Sequence, residues 1–270
     1  MTPRLFLHAF STEARKWMSY RADFWLTAVF AFVAHFGVAY CLWRAIFDGA
    51  QHAEVAGYSF DHMLLYYVLA ILFGKLVRGS DRMADVAQDI YEGSLSRYLV
   101  YPTSYFGFKY AQHLGQLVPA GVQLGVLAIL YTFILPFPQE VTIGAVNIAM
   151  ACGSILVANL LFYSMSVPLQ AVAFWADNVW SLVVMMRFVT GLLGGAMLPL
   201  ALFPEWAQEW LLWLPFRYLY DFPIAVLTGQ VTLGRWLLGI ALGLTWIALI
   251  GAVTRIVWRR GMLAYSGVGI

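Results

Sequence analysis

The amino-acid sequence predicts an all-α membrane protein built on six transmembrane helices, and three observations carry that prediction. Hydrophobic residues make up 62% of the chain and charged residues only 11%, against about 25% charged in soluble domains. With a mean hydropathy of +0.75, a chain of 270 residues has more apolar surface than one water-soluble core can hide, so lipid must be its solvent. The apolar residues also gather into six runs, each close to the roughly 20 residues that a helix needs to cross a bilayer. A net charge of +2 is too small to point to a nucleic-acid partner.

Residues 1–22 come first and do not span. Leu5, Phe6, Phe10, Trp17 and Met18 interleave with Arg4, Arg15 and Lys16, the mixture of an interfacial helix lying along a leaflet. No apolar h-region stands beside a small-residue cleavage site, so the segment does not read as a cleavable signal peptide. Residues 23–270 read as one transmembrane domain, with spans over about 24–47, 59–77, 114–135, 142–165, 179–203 and 236–258. The second is the weakest, because Asp61, His62 and Lys75 crowd its ends, although Lys75 can snorkel.

Orientation follows from the basic residues. Arg4, Arg15, Lys16 and Arg21 precede the first span. Lys75, Arg78, Arg82, Arg97 and Lys109 surround the loop between spans two and three, and Arg255, Arg259 and Arg260 follow the sixth. The opposite side has Arg44, Arg217 and Arg235, leaving Arg187 within a span. Twelve against three puts both termini and the loop between spans two and three in the cytoplasm.

That loop is unusual for so apolar a chain. Over residues 81–101, Met83, Val86, Ile90 and Leu95 fall near one helical stripe, and Asp81, Asp85, Asp89 and Glu92 on another. Gly93 and Ser94 interrupt the pattern and Pro102 closes it. A short amphipathic cytoplasmic helix with an acidic side suits the docking of another protein; a solvated loop helix is the plainer alternative. Residues 204–234, on the outside, are too broken by Pro204, Pro215 and Pro223 to cross as one helix. Trp206, Trp210, Trp213, Tyr218 and Tyr220 favour the headgroup level, so two short helices dipping into the outer leaflet are expected.

Within the spans, His35 and Arg187 are costly ionisable groups and candidates for a substrate path or a structural pair. Gln116, Gln123, Asn147 and Asn159 can bond neighbouring helices, and Gln123 is a further path candidate. Small-residue pairs at Gly121 and Gly125, Gly191 and Gly195, and Gly239 and Gly243 let helices approach closely. Gly191, Gly194 and Gly195 together make span five the first choice for a dimer seam. Cys41 and Cys152 lack metal or redox spacing and read as small buried hydrophobes.

Three stretches carry a family resemblance: IYEGSLSRYLVYPTSYFGFKYAQHLG, FPEWAQEWLLWLPFRYLYDFPIAVLTGQ and the terminal WRRGMLAYSGVG. With the span layout they make the chain resemble the permease subunits of type-2 ABC exporters, in the branch of six-span bacterial permeases. The resemblance implies an integral protein of the bacterial inner membrane with an elbow helix before span one and a coupling helix between spans two and three. It implies partnership with a second permease, identical or paralogous, and with a cytosolic ABC ATPase dimer. That partner would bind ATP and Mg, with no cofactor in this chain. The coupling helix would be about Ala84–Leu99, with Asp85, Asp89, Glu92 and Arg97 toward the motor while Ile90 and Leu95 pack.

The chain contains no G-x-x-x-x-G-K-[ST] run to cradle ATP phosphates, so any ATP-driven activity needs a partner. The expected cargo is hydrophobic or amphipathic: a drug, a lipid or a lipid-linked molecule. The rival readings are an ion-coupled secondary transporter, disfavoured by the lack of acids in mid-span, and a membrane-embedded enzyme using Asp61, His62 or Asp221.

Overall fold

The computed structural model describes residues 1–18, 21–50, 54–79, 85–134, 138 and 141–265. Asp81, Arg82, Met83 and Ala84, and Leu135 at the end of the third predicted span, lie outside the described residues. What is described is helical, with one isolated bridge between Val55 and Tyr58. Helix α1 (Pro3–Met18) is followed by α2 (Arg21–Ala50), α3 (Phe60–Arg78), the short α4 (Asp85–Tyr91) and α5 (Leu95–Val100), and α6 (Tyr105–Ile134). Then come α7 (Ala145–Gln170), α8 (Trp180–Leu193), the short α9 (Glu205–Leu211) and α10 (Asp221–Leu227), and α11 (Leu233–Ala264).

Among the described residues, five helices are long and apolar enough to cross a membrane: Val29–Gly49, Phe60–Arg78, Tyr105–Tyr131, Ala145–Phe174 and Leu233–Ala264. At the basal end of the bundle lie α4, α5 and the C-terminal part of α11, where Trp258 stacks on Tyr105 with ring centroids 5.3 Å apart. At the apical end, His62 of α3 meets Tyr58 at 4.6 Å and Gln230 at 3.3 Å.

The weakest span by hydropathy proves to be the best buried. In α3 67% of the apolar window is covered, against 11% in α2 and 17% in α11. A helix surrounded by protein need not match lipid along its length, and α3 therefore tolerates polar ends. Its last carbonyls have no partner within the helix and are met from α7. The Asn159 Nδ2 donates to the oxygens of Leu76 at 2.9 Å and Val77 at 3.2 Å, and its Oδ1 accepts from the Tyr110 hydroxyl at 3.1 Å. The helix glue expected of Asn159 is thus visible.

The fifth predicted span needs correction. Helix α8 has 14 residues, about 21 Å at 1.5 Å per residue, and ends where Gly195 takes φ +92. The turn at Gly194 and Gly195 is held from two elements: the Asp221 N–H donates to Gly194 O at 3.0 Å and the Tyr66 hydroxyl to Gly195 O at 2.7 Å. A Cβ on Gly195 would lie 2.5 Å from that hydroxyl, so space and backbone both demand glycine. Past the turn the chain runs through short helical pieces. It inserts Tyr218, Leu219, Tyr220 and Phe222 against Met150, Leu161, Phe162 and Met186, making them core residues rather than headgroup residues. Phe222 occupies the space that Gly239 leaves, and Val157 meets Gly243. Trp206, Trp210 and Trp213 are exposed. Both cysteines, expected buried, are exposed.

Helix α1 lies against α6, burying Ala9, Glu13 and Ala14. Glu13 keeps its charge partnered by Lys16 at 3.3 Å and the Trp17 indole N–H at 3.0 Å. The approach is close because α6 offers Gly115, where a Cβ would stand 2.6 Å from Phe10 O. Gly121, on the same helix, has nothing within 4 Å. Gly115→Val should therefore lift α1 and expose an Ala14→Cys thiol to a maleimide reagent, at a cost of about 1–3 kcal/mol typical of overpacking. Gly121→Val should leave that labelling unchanged.

Candidate functional site

The amphipathic stretch between α3 and α6 folds as two short helices rather than one. Gly93 at φ +69 breaks the run after α4, and α5 restarts at Leu95. Their apolar stripes face the same way. Val86, Ala87, Ile90 and Leu95 are buried with Tyr105, Ala173 and Val179, and Phe174, Trp258 and Met262 pack around them. Two polar links fix α4 to the turn that follows α7. The Val86 N–H donates to the Gln170 Oε1 at 2.9 Å, and the Tyr91 hydroxyl to Ala176 O at 2.9 Å. On the α5 side the hydroxyls of Ser96 and Tyr265 stand 3.2 Å apart.

Asp89 is the anchor. Its Oδ2 lies 2.6 Å from the Lys109 Nζ and accepts from the Tyr105 hydroxyl at 2.7 Å. Its Oδ1 accepts from the Ser94 hydroxyl at 3.0 Å. The Lys109 ammonium stands 4.9 Å from the Tyr98 ring centroid, a cation–π contact. Both side chains are about nine-tenths covered, at 11% and 12% exposure. A buried pair whose carboxylate has both oxygens engaged holds its geometry, because losing either member strands a charge. The expectation that Asp89 faces a partner is therefore corrected: its carboxylate is spent on holding α4 to α6.

Of the residues expected to face a partner, Glu92 and Arg97 are exposed. Gln88, Tyr91, Glu92, Ser96, Arg97 and Val100 are exposed along α4 and α5. Val100 is 83% exposed and Glu92 is bonded to Gln88 at 2.7 Å. Ile90 and Leu95 are buried inside this chain. Asp85 is half-buried beside them. A rigid two-helix cap tied to α6, to the turn after α7 and to the end of α11 can pass a displacement to three helices at once.

The apical end is closed by a second polar knot. The Arg217 Nε donates to the Asp221 Oδ2 at 3.1 Å, and the Tyr67 hydroxyl donates to Met197 O at 2.9 Å. Burial pushes the Asp221 carboxyl up, with Arg217 and the Tyr66 hydroxyl opposing. Burial and then the charge of Asp221 push the Tyr58 hydroxyl up to about 12, with Arg217 working against them. Asp221 is engaged by Arg217 within the 194–232 segment, and the Tyr66 and Tyr67 hydroxyls tie that segment to α3.

The path candidates are not gathered into one site. His35 is exposed on α2, its Nδ1 2.6 Å from Ala31 O of its own helix. Gln123 is buried, its Oε1 3.4 Å from the Lys75 Nζ. Arg187 is half-buried on α8. The glycines proposed for a dimer seam are filled from within the chain: Gly191 by Met197, Gly194 by Tyr220 and Gly195 by Tyr66. Sequence reasoning missed Lys109, Tyr105, Gln170, Tyr66 and Arg217 as anchors. Only the spacing of Arg217 and Asp221, one helical turn apart, was a signal that could have been read.

A family profile described as ABC-2 family transporter protein matches residues 33–269, which takes in α3, the α4–α5 cap, the apical segment and α11. No curated protein and no solved structure matched the chain. A match over nearly the whole sequence, on a bundle of long apolar helices, settles the family: the chain belongs to the ABC-2 transporters and is an integral membrane permease of the ABC type.

Proposed function

We propose that the chain is the permease subunit of an ATP-driven exporter, moving a hydrophobic or amphipathic cargo across a bacterial cytoplasmic membrane by alternating access. A separate ABC ATPase dimer binds ATP and Mg and docks on the α4–α5 cap. A second permease protomer, identical or paralogous, completes the pathway among membrane lipids. In this reading both termini and the cap are cytoplasmic, α1 is the elbow helix, and α8 with the turn after it makes the sixth crossing. The observation that carries the proposal is the cap itself. An exposed, mixed-charge surface stands on a base that is locked to α6 by the Asp89–Lys109 pair at 2.6 Å. Such an element transmits force, whereas a solvated loop helix would not need a buried ion pair beneath it.

Nucleotide-driven closure of the ATPase dimer would tilt the cap, and the cap would carry the basal ends of α6 and α11 with it. The population of inward- and outward-open states then follows the nucleotide state, because each is favoured by a different cap position. At the apical end, the Arg217–Asp221 pair and the Tyr66 bond to Gly195 would have to yield for cargo to leave.

Two measurements bear on this reading. Glu92→Arg combined with Arg97→Glu, both exposed, should cut co-purification of the ATPase about tenfold while leaving the thermal midpoint of the permease unchanged; undiminished association would remove the cap from the interface. Lys109→Met should cost about 3–5 kcal/mol, the range for a buried pair robbed of one partner, read as a lower thermal midpoint. Adding Asp89→Asn to that variant should recover most of the stability, yet leave ATP hydrolysis poorly coupled to transport in vesicles. Full coupling in the double variant would mean that the pair is structural only.

A further inference from the structure

Asn159 lies near the middle of α7, a mostly apolar helix, and is 1% exposed. A buried amide there is costly unless its nitrogen and its oxygen are both bonded, and both are. The Nδ2 donates to Leu76 O and Val77 O, the last turn of α3, and stands 3.0 Å from the His113 Nε2 of α6. The Oδ1 accepts from the Tyr110 hydroxyl, also of α6. Carbonyls only accept, so the two on α3 fix which end of the amide is nitrogen. Gly79 completes the fit: a Cβ there would stand 2.6 Å from the His113 Cε1, and φ +74 turns the chain out of α3. One side chain thus clamps α3, α6 and α7 together at the basal level.

The two helices that Asn159 ties to α7 lead to opposite ends of the molecule. On α6, Tyr110 directly follows Lys109, which holds Asp89 of the cap at 2.6 Å. On α3, Tyr66 lies ten residues before Leu76, about 15 Å along the axis. The hydroxyls of Tyr66 and Tyr67 hold Gly195 O and Met197 O, in the turn that follows α8. Between its two ends α3 packs against α2, α6, α7 and α10, so it is supported along its length and shifts as a rod. The chain also joins α3 to α4 through residues 79–84, and the Lys75 Nζ donates to the Gln123 Oε1 of α6 at 3.4 Å. Neither link includes α7; Asn159 binds all three helices at one point.

We propose that Asn159 is the positioning residue that delivers the motion of the cap to the apical gate. It clamps the basal end of α3 to the part of α6 on which the cap is anchored. The two helices then shift together, and Tyr66 and Tyr67 draw the turn at residues 194–197 with them. Energetic coupling between distant sites is carried by packed helices and hydrogen-bonded side chains that touch in series. The cap, Lys109, Tyr110, Asn159, α3 and the apical turn form such a series. Without the clamp, α6 moves with the cap while α3 stays behind, and the turn keeps its bonds in either nucleotide state. The inference rests on the permease reading, to which it adds the route between motor and gate.

The test uses the assembled complex of permease and ATPase in nanodiscs, with Cys41→Ala and Cys152→Ala to remove the exposed native thiols. Thr228→Cys is the reporter, since Thr228 is 4% exposed and lies two residues before the apical Gln230. Its rate of reaction with a maleimide is compared without nucleotide and with ATP and vanadate. With Asn159 in place, nucleotide should speed labelling about tenfold. Asn159→Ala should label slowly in both states while still binding its ATPase and hydrolysing ATP. A nucleotide response that survives in this variant overturns the proposal. So does fast labelling in both states, which would make Asn159 a fastener of the gate and not its drive, and so does loss of hydrolysis together with the response, which marks a structural role. Should the variant fail to assemble, Tyr110→Phe decides, because it removes one hydroxyl: it should shrink the response several-fold, and an unchanged response overturns the clamp. The Tyr163 hydroxyl bonds α7 to Phe106 O of α6 at 3.3 Å without involving α3. Tyr163→Phe should therefore leave the response intact, and an equal loss there overturns the role of Asn159. If the reference complex itself shows no response to nucleotide, the permease reading fails and this inference with it; a response that Asn159→Ala leaves intact sinks the inference alone.

Discussion

In lipid no water is at hand to satisfy a backbone carbonyl, and the whole structure answers to that constraint. At several places among the described residues where the chain leaves helical geometry, a side chain from another element supplies a donor. Tyr66 serves Gly195 at 2.7 Å and Tyr67 serves Met197 at 2.9 Å. Gln208 reaches Ala201 and Phe203, and the Trp246 indole reaches Trp213 at 2.8 Å. Asn159 does the same for the last turn of α3. The broken segment between α8 and α11 can lie among apolar helices because its backbone carbonyls at Gly194, Gly195, Met197, Ala201, Phe203 and Trp213 are met by protein.

The same constraint divides the molecule into two working ends. At the apical end the bonds among the described residues are mostly between neutral groups, beside the ion pairs of Arg217 with Asp221 and of exposed Arg44 with Asp48. Bonds of that kind can exchange partners at modest cost, about 0.5–1.5 kcal/mol each, which suits a gate. At the basal end Asp89, Lys109, Tyr105 and Ser94 form a network around one buried ion pair. Such a network costs several times more to open, which suits a part that must move as a unit. Helix α1 lies on α6 near Gly115, so it shares the helix to which the cap is fixed.

Much of the architecture was legible in the sequence, because lipid leaves a strong mark on composition. The existence and order of α2, α3, α6, α7 and α11, the break at Gly93 and the broken nature of residues 204–232 follow from apolar runs, glycine and proline. Helix α6 nevertheless starts at Tyr105 rather than near 114, α7 runs on to Gln170 and α11 to Ala264, because helix continues into the polar flanks that the apolar runs leave out. Three things were not legible. The end of α8 at Leu193 depends on Tyr66 and Asp221 arriving from elsewhere to hold Gly194 and Gly195, and apolar sequence continues past it. The inward turn of Asp89 depends on Lys109, one residue among many with the right charge, and an amphipathic stripe cannot tell a solvated carboxylate from a buried one. The weak hydropathy of α3 looked like a doubtful span, when it marks a helix whose neighbours are protein.

The central claim is that a separate ATPase drives this permease through the α4–α5 cap. It is tested most directly by placing a photoreactive amino acid at Val100, which is 83% exposed and outside the packed stripe, and irradiating intact cells. The account predicts an adduct with a soluble subunit that carries a phosphate-binding loop, formed only while the complex is assembled. Attachment to nothing but lipid, or reaction of a cysteine at the same position with a membrane-impermeant reagent added from outside, would contradict it.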